Sequence, residues 1–265
     1  MKNTRRLFLK MAGLAALGWS VRPASRLFAS GHGSHHAEGL FIASKHGAPK
    51  DGEGLHAGRW AMVIDTQKMT PTIEKKCVDA CHSHHNVPSI NSNQNIKWIW
   101  SANLHNVFPE QAHEHIPGGT HRTTLALCNH CAHPPCVRVC PTKATFQRED
   151  GVVMMDFHRC IGCRYCMAGC PYGSRSFNFM DPRPHIKDIT PEFPTRTKGV
   201  VEKCEFCTER LAEGKRPYCV EVSEGAMIFG DLEDPKSEVR KALASRYSIR
   251  RKPELGTEPG VYYLI

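Results

Sequence analysis

The chain has 265 residues, thirteen cysteines, sixteen histidines and a formal net charge of +9. So many cysteines call for either metal or a disulfide framework, while neither a phosphate-binding glycine loop nor an acid, base and nucleophile constellation accompanies them. The basic excess does not imply nucleic acid, because Lys2, Arg5, Arg6, Lys10, Arg22 and Arg26 stand in residues 1–29 with no acid; taking these six from nine leaves +3 for the remainder.

In chain order, Thr4-Arg5-Arg6-Leu7-Phe8-Leu9-Lys10 comes first, followed by a weakly apolar stretch from Met11 to Val21 and a small-residue exit at Phe28-Ala29-Ser30. This order reads as a twin-arginine export signal over residues 1–29. Gly13, Gly18 and Ser20 dilute the stretch below the roughly eighteen apolar residues of a spanning helix, and no later segment reaches that length. The twin-arginine route carries proteins already folded around their cofactors, so thiolates can be committed to metal before an oxidising compartment is reached. The expected location is periplasmic or extracytoplasmic, held at the membrane through partners.

Residues 30–59 read as a flexible Gly- and His-rich arm. Trp60-Ala61-Met62-Val63-Ile64-Asp65 reads as a first strand. Gln67 to Pro88 then ends in Cys77-x3-Cys81-His82, the closing half of a four-cysteine run without its opening half. Laying the spacing of residues 128–140 back from Cys81 puts Met69 and Thr72 where the first two cysteines belong, a damaged copy of the same repeat. Residues 82–127 read as histidine-rich and irregular, with a short aromatic patch at Trp98-Ile99-Trp100 and Phe108-Pro109; the tryptophans are expected to cover the metal centres, a docking surface being the alternative.

Two intact runs follow: Cys128-x2-Cys131-x4-Cys136-x3-Cys140-Pro141 and Cys160-x2-Cys163-x2-Cys166-x3-Cys170-Pro171. Structural zinc also takes Cys-x2-Cys pairs, but sets two such pairs apart by a longer spacer. The ferredoxin spacing fits instead, in which three thiolates hold one [4Fe-4S] cluster and the fourth, before proline, reaches its neighbour. Exchange then gives cluster one to Cys128, Cys131, Cys136 and Cys170, and cluster two to Cys160, Cys163, Cys166 and Cys140.

Ala144 to Glu149 and Val152 to Asp156 flank Asp150-Gly151, a hairpin signal between the runs. After Tyr172 to Phe179 and a Pro-rich connector from Asp181 to Pro194 comes Cys204-x2-Cys207-x11-Cys219-x3-Ser223, with serine where a fourth cysteine would complete the pattern. Cys207 to Gly214 reads as a short helix and Ala226 to Phe229 as a strand. Asp234-Pro235 is expected to cap a helix running to about Ser245, with Val239 and Leu243 on one face. Arg250 to Ile265 reads as an extended arm.

Four repeats, two intact and two defective, resemble the four-cluster ferredoxin-like subunits of membrane oxidoreductases, and most closely the DsrO-type periplasmic subunits of the Dsr complex of dissimilatory sulfur metabolism. The resemblance rests on Cys128-Asn129-His130-Cys131 with Pro134 to Pro141, on Cys160-Ile161-Gly162-Cys163-Arg164-Tyr165-Cys166 through Tyr172-Gly173, on Arg250 to Gly256 and on His85-Asn86-Val87-Pro88. It implies that the first and fourth repeats pair, so that Cys81 joins Cys204, Cys207 and Cys219 in cluster three. The remaining site would need Met69, Thr72, Cys77 and Ser223, of which one is a thiolate, so three [4Fe-4S] clusters are expected.

The expected fold is α+β: tandem bacterial-ferredoxin-like repeats with short strands, short helices and long loops. Residues 60–127 with 195–246 would form an outer unit, residues 128–194 an inner unit, and residues 247–265 a C-terminal arm. The implied function is electron relay, without catalysis by this protein, between a quinone-reactive integral-membrane subunit and the cytochrome and iron-sulfur subunits of a sulfur-metabolism complex. The alternatives are a nitrite, polysulfide or tetrathionate type of membrane oxidoreductase, a free-standing exported ferredoxin, and an enzyme using a cluster with an open iron.

Overall fold

The computed structural model describes residues 54–110 and 122–265. The expected export signal, and the arm before residue 54, lie outside the described residues. Strand β1 (Trp60–Asp65) is buried along its whole length, which its continuous apolar run allows only for an inner strand. It pairs antiparallel with a strand at Met227–Asp231, Met62 facing Phe229, and Trp60 stacks on Phe229 at 4.8 Å between centroids. On its other side it pairs parallel with Val261–Leu264, Met62 facing Val261. That strand pairs antiparallel with Ser248–Ile249, completing a four-stranded sheet.

The tail is therefore extended, as expected, but it is an inner strand rather than a free arm. Tyr263 is fully buried; its hydroxyl donates to the Leu125 carbonyl at 3.1 Å and its ring meets Phe108 edge-on. The last helix, Glu238–Ser245, packs Val239 with Leu243 against Ala61, Val63 and Leu264. Its cap is Ser237, whose Oγ accepts from Arg240 N at 3.1 Å, and not Asp234, which instead closes the preceding turn onto Lys236 N.

After β1 the backbone forms helix α1 (Pro71–His84), capped by Thr70, with Pro71 at its start and Glu74 in its first turn. Residues 82–127 are less irregular than their composition suggests. They hold β2 (Ile99–Asn103), a short helix α2 (Leu104–Val107) and β3 (Thr123–Leu127), with β2 and β3 antiparallel. Glu74, buried on α1, ties that hairpin down by accepting from Ser101 Oγ and from Thr123 Oγ1.

The cysteine-rich segment is built from small pieces: α3 (Pro135–Arg138), β4 (Thr145–Gln147), β5 (Val153–Met155), α4 (Tyr165–Ala168) and β6 (Ser176–Phe177). Strands β4 and β5 form the expected hairpin, turning through Gly151 at φ +81°. Strand β7 (Val201–Glu202) pairs with β6. Helices α5 (Thr208–Ala212) and α6 (Tyr218–Glu221) lead to β8 (Met227–Asp231), the final helix is α7, and Ser248–Ile249 and Val261–Leu264 are β9 and β10. The content is mixed α+β, with most of the described residues in loops around the thiols.

Candidate iron-sulfur centres

Each cysteine run bends through left-handed backbone positions. His130, Gly162, Arg164, Phe206 and Cys207 all have φ between 41° and 70°. Gly162 has a second reason to be glycine, since a Cβ there would lie 2.5 Å from the Gly199 carbonyl. The third cysteine of each group, Cys136, Cys166 or Cys219, then stands second in a four-residue helix, and the run leaves that helix toward Cys140, Cys170 or Ser223. Such tight loops give backbone N–H groups to sulfur: Thr145 N lies 3.5 Å from Cys140 Sγ and Phe206 N 3.5 Å from Cys204 Sγ.

All thirteen cysteines are free thiols. Cys128, Cys131, Cys136 and Cys170 line one small cavity together with Tyr172 and Arg175. Burial, and next the charge of Cys128, push Cys131 up to about 12, against a hydrogen bond to the Thr257 side chain. Cys140, Cys160 and Cys166 pack with Val153, Met155 and Val201, and half-buried Cys163 stands in the same loop. Burial would raise Cys140, but hydrogen bonds from Thr145, Thr142 and Ala144 bring it below the ordinary thiol value.

The third set is buried throughout. Burial first, and next the charge of Cys204, hold Cys81 and Cys219 well above the usual thiol range; burial, then Glu209 and the neighbouring thiols, do the same for Cys207, and burial and next Cys128 push Cys204 up to about 12. Buried soft donors that burden one another electrostatically suit a cationic iron centre, which takes them as thiolates. The donor set thus fits [4Fe-4S] chemistry in all three places.

Several side chains that brace the thiols have no assigned role in the sequence reading. His85 Nδ1 donates to the Cys81 carbonyl at 2.7 Å while its Nε2 lies 3.0 Å from Glu209 Oε1. Burial would raise Glu209, yet the hydrogen bonds of His84 and His85 bring it down to about 2. His85 also stacks on Trp98, whose indole N–H donates to Glu202. Glu202 pairs with Arg196 at 2.7 Å, both fully buried, and Arg196 donates to the carbonyls of His85 and Asn86. This network fastens the end of α1 to the segment that carries Cys204 and Cys207.

The C-terminal residues cover the first run. His133 N donates to the Thr257 carbonyl, Ala132 N to that of Glu258 and Gly260 N to that of Asn129, and the Tyr172 and Thr257 hydroxyls bond to each other. Around Cys77 the groups are already engaged. Its thiol donates to the Cys219 carbonyl at 3.3 Å. Ser223 Oγ donates to Val220 O at 2.7 Å and accepts from Met227 N, while Thr72 is exposed on α1.

The profile of the 4Fe-4S dicluster domain matches residues 121–181, which span both intact runs. Over most of its length the protein is similar to the Hdr-like menaquinol oxidoreductase iron-sulfur subunit 1 of Archaeoglobus fulgidus, at 39% identity over 98% of its own residues and 97% of the relative. It is 37% identical to the iron-sulfur cluster-binding subunit of the menaquinone reductase of Nitratidesulfovibrio vulgaris, over 78% of its own residues and 88% of that relative. With the B component of the tetrathionate reductase of Salmonella typhimurium it shares 34% identity over 100% of its own residues and 89% of the relative.

Proposed function

This protein belongs to the family of iron-sulfur, electron-transfer subunits of membrane-associated oxidoreductases, and from that premise we propose that it relays single electrons through three [4Fe-4S] clusters between a quinone-reactive membrane subunit and other redox subunits of a sulfur-metabolism complex. The observations that carry this reading are that Cys128, Cys131, Cys136 and Cys170 line one cavity, that Cys140, Cys160 and Cys166 pack together, and that Cys81 on α1 meets Cys204, Cys207 and Cys219, more than a hundred residues later. When bound, each cluster supplies a site that gains and loses one electron.

The side chains suggest an order for the relay. Cys204 feels the charge of Cys128 and Cys166 that of Cys136, so cluster one stands between clusters three and two. Cluster two is nearest the outside: Cys140, Cys160 and Cys163 are half-buried, and Ile161 and Tyr165 beside them are 67% and 62% exposed. Large apolar groups left open around a redox centre favour a docked partner there. Exposed Arg138, at the end of α3, and exposed Lys143, just past Cys140, flank that cysteine and add positive charge to this face.

Within the family we assign the protein to the DsrO type, exported by the twin-arginine route and held on the exported face of the membrane by its partners. No helix among the described residues is long and apolar enough to cross a membrane. Mild detergent extraction followed by affinity purification of the full-length protein tests this. Co-purification with a quinone-reactive membrane subunit and a cytochrome is the expected result; recovery of a lone soluble carrier would support a free-standing ferredoxin instead. Recovery with a polysulfide- or tetrathionate-reducing subunit would move the protein to another branch of the family.

A further inference from the structure

Arg175 is 5% exposed and pairs with no carboxylate among the described residues. Its Nη1 donates to Thr145 Oγ1 at 3.0 Å and approaches Met155 Sδ at 3.8 Å, while Nη2 has no partner among the described residues. A buried guanidinium left in that state is costly unless other charge answers it. Arg175 lines the cavity of Cys128, Cys131, Cys136 and Cys170, and it is near enough to feel the charge of Cys136 and Cys128 on that side, of Cys166 in the neighbouring group, and of buried Glu205.

We propose that Arg175 is a positioning residue for electron transfer, a fixed buried cation shared by clusters one and two that raises both reduction potentials together. This role rests on the ligand groups assigned above. Reduction adds an electron, and so negative charge, to a cluster. A permanent positive charge in a poorly screened interior stabilises the reduced form more than the oxidised one. Because the guanidinium is near both Cys136 and Cys166, it raises the potentials of both clusters in the same direction rather than that of one alone. Thr145 holds the guanidinium in place through Oγ1 and gives its own N–H to Cys140 Sγ, which couples this position to the loop of cluster two.

The test uses the full-length protein with its clusters loaded, as Arg175→Gln and Arg175→Lys, titrated against potential and followed by low-temperature EPR, with iron and acid-labile sulfide measured on each sample. Arg175→Gln is expected to keep wild-type iron while shifting the reduction equilibrium of clusters one and two at least about tenfold against reduction, about 59 mV for each one-electron step. Cluster three should move much less, and Arg175→Lys should restore most of the shift. Unchanged potentials at full iron content would overturn the proposal, and so would an equal shift of all three clusters. If the glutamine variant fails to load, the lysine variant decides: clusters at near wild-type potentials support a requirement for charge. Lost clusters or displaced potentials in that variant would assign the role to side-chain shape and contradict it. A wild-type protein without [4Fe-4S] signals would instead sink the ligand assignment itself.

Discussion

Cys77 and Cys81 lie one turn apart on α1 and are both buried, yet their surroundings differ. Cys81 faces Cys204 and Cys219 and is braced through His85. Cys77 gives its thiol to the Cys219 carbonyl, and burial, with Glu74 next, pushes it up to about 12. Cys81→Ala is therefore expected to remove cluster three or convert it to a three-iron form, and to weaken the fold, because ligation contributes folding energy. Cys77→Ser should leave iron content and the reduced EPR spectrum unchanged and cost at most about 1 kcal/mol, since a serine hydroxyl can donate to the same carbonyl. Equal iron loss in the two variants would mean that Cys77 is a ligand. Single residues are readable in the sequence wherever function is local, as in Cys128 to Cys170, whose spacing alone groups them. Arg175, Thr257 and Glu209 are not, because each acts on a cysteine run through space and no short motif marks it.

Among the elements, α1 and β10 are the least legible, for different reasons. The buried face of α1 is Ile73, Glu74, Cys77 and Cys81, so it lacks the apolar stripe by which a helix is usually read, and its cysteines draw attention to a loop motif instead. Strand β10 depends on β1, nearly two hundred residues earlier, and nothing local in Val261 to Leu264 says that it will be inside. The β4 and β5 hairpin, by contrast, is fixed by Asp150-Gly151 and its flanking runs. The burial of β10 can be measured through Tyr263. Tyr263→Phe should cost about 1 kcal/mol by leaving the Leu125 carbonyl without its donor, and Tyr263→Ala about 3–5 kcal/mol through the cavity it leaves. Denaturant unfolding of the cluster-loaded protein would give both values. An alanine variant as stable as the phenylalanine one would mean that the tail is an arm after all.

The interior of the molecule is rich in soft metal ligands, and under the proposed function its membrane attachment comes from other subunits. In membranes prepared from the native host, high-salt or alkaline washing, or deletion of the membrane partner, should release the mature protein to the soluble fraction. Retention after both treatments would mean that residues 7–21 remain as an anchor. Everything proposed for the relay depends on the number of clusters, which follows from twelve thiols in three groups and from Cys77 and Ser223 being engaged with backbone groups. Iron and acid-labile sulfide per protein molecule, measured together with zinc on material purified without air, read that number without further assumption. Three clusters require about twelve irons, about twelve sulfides and almost no zinc, at four irons for each [4Fe-4S] cluster; eight or sixteen irons per fully loaded molecule would contradict them.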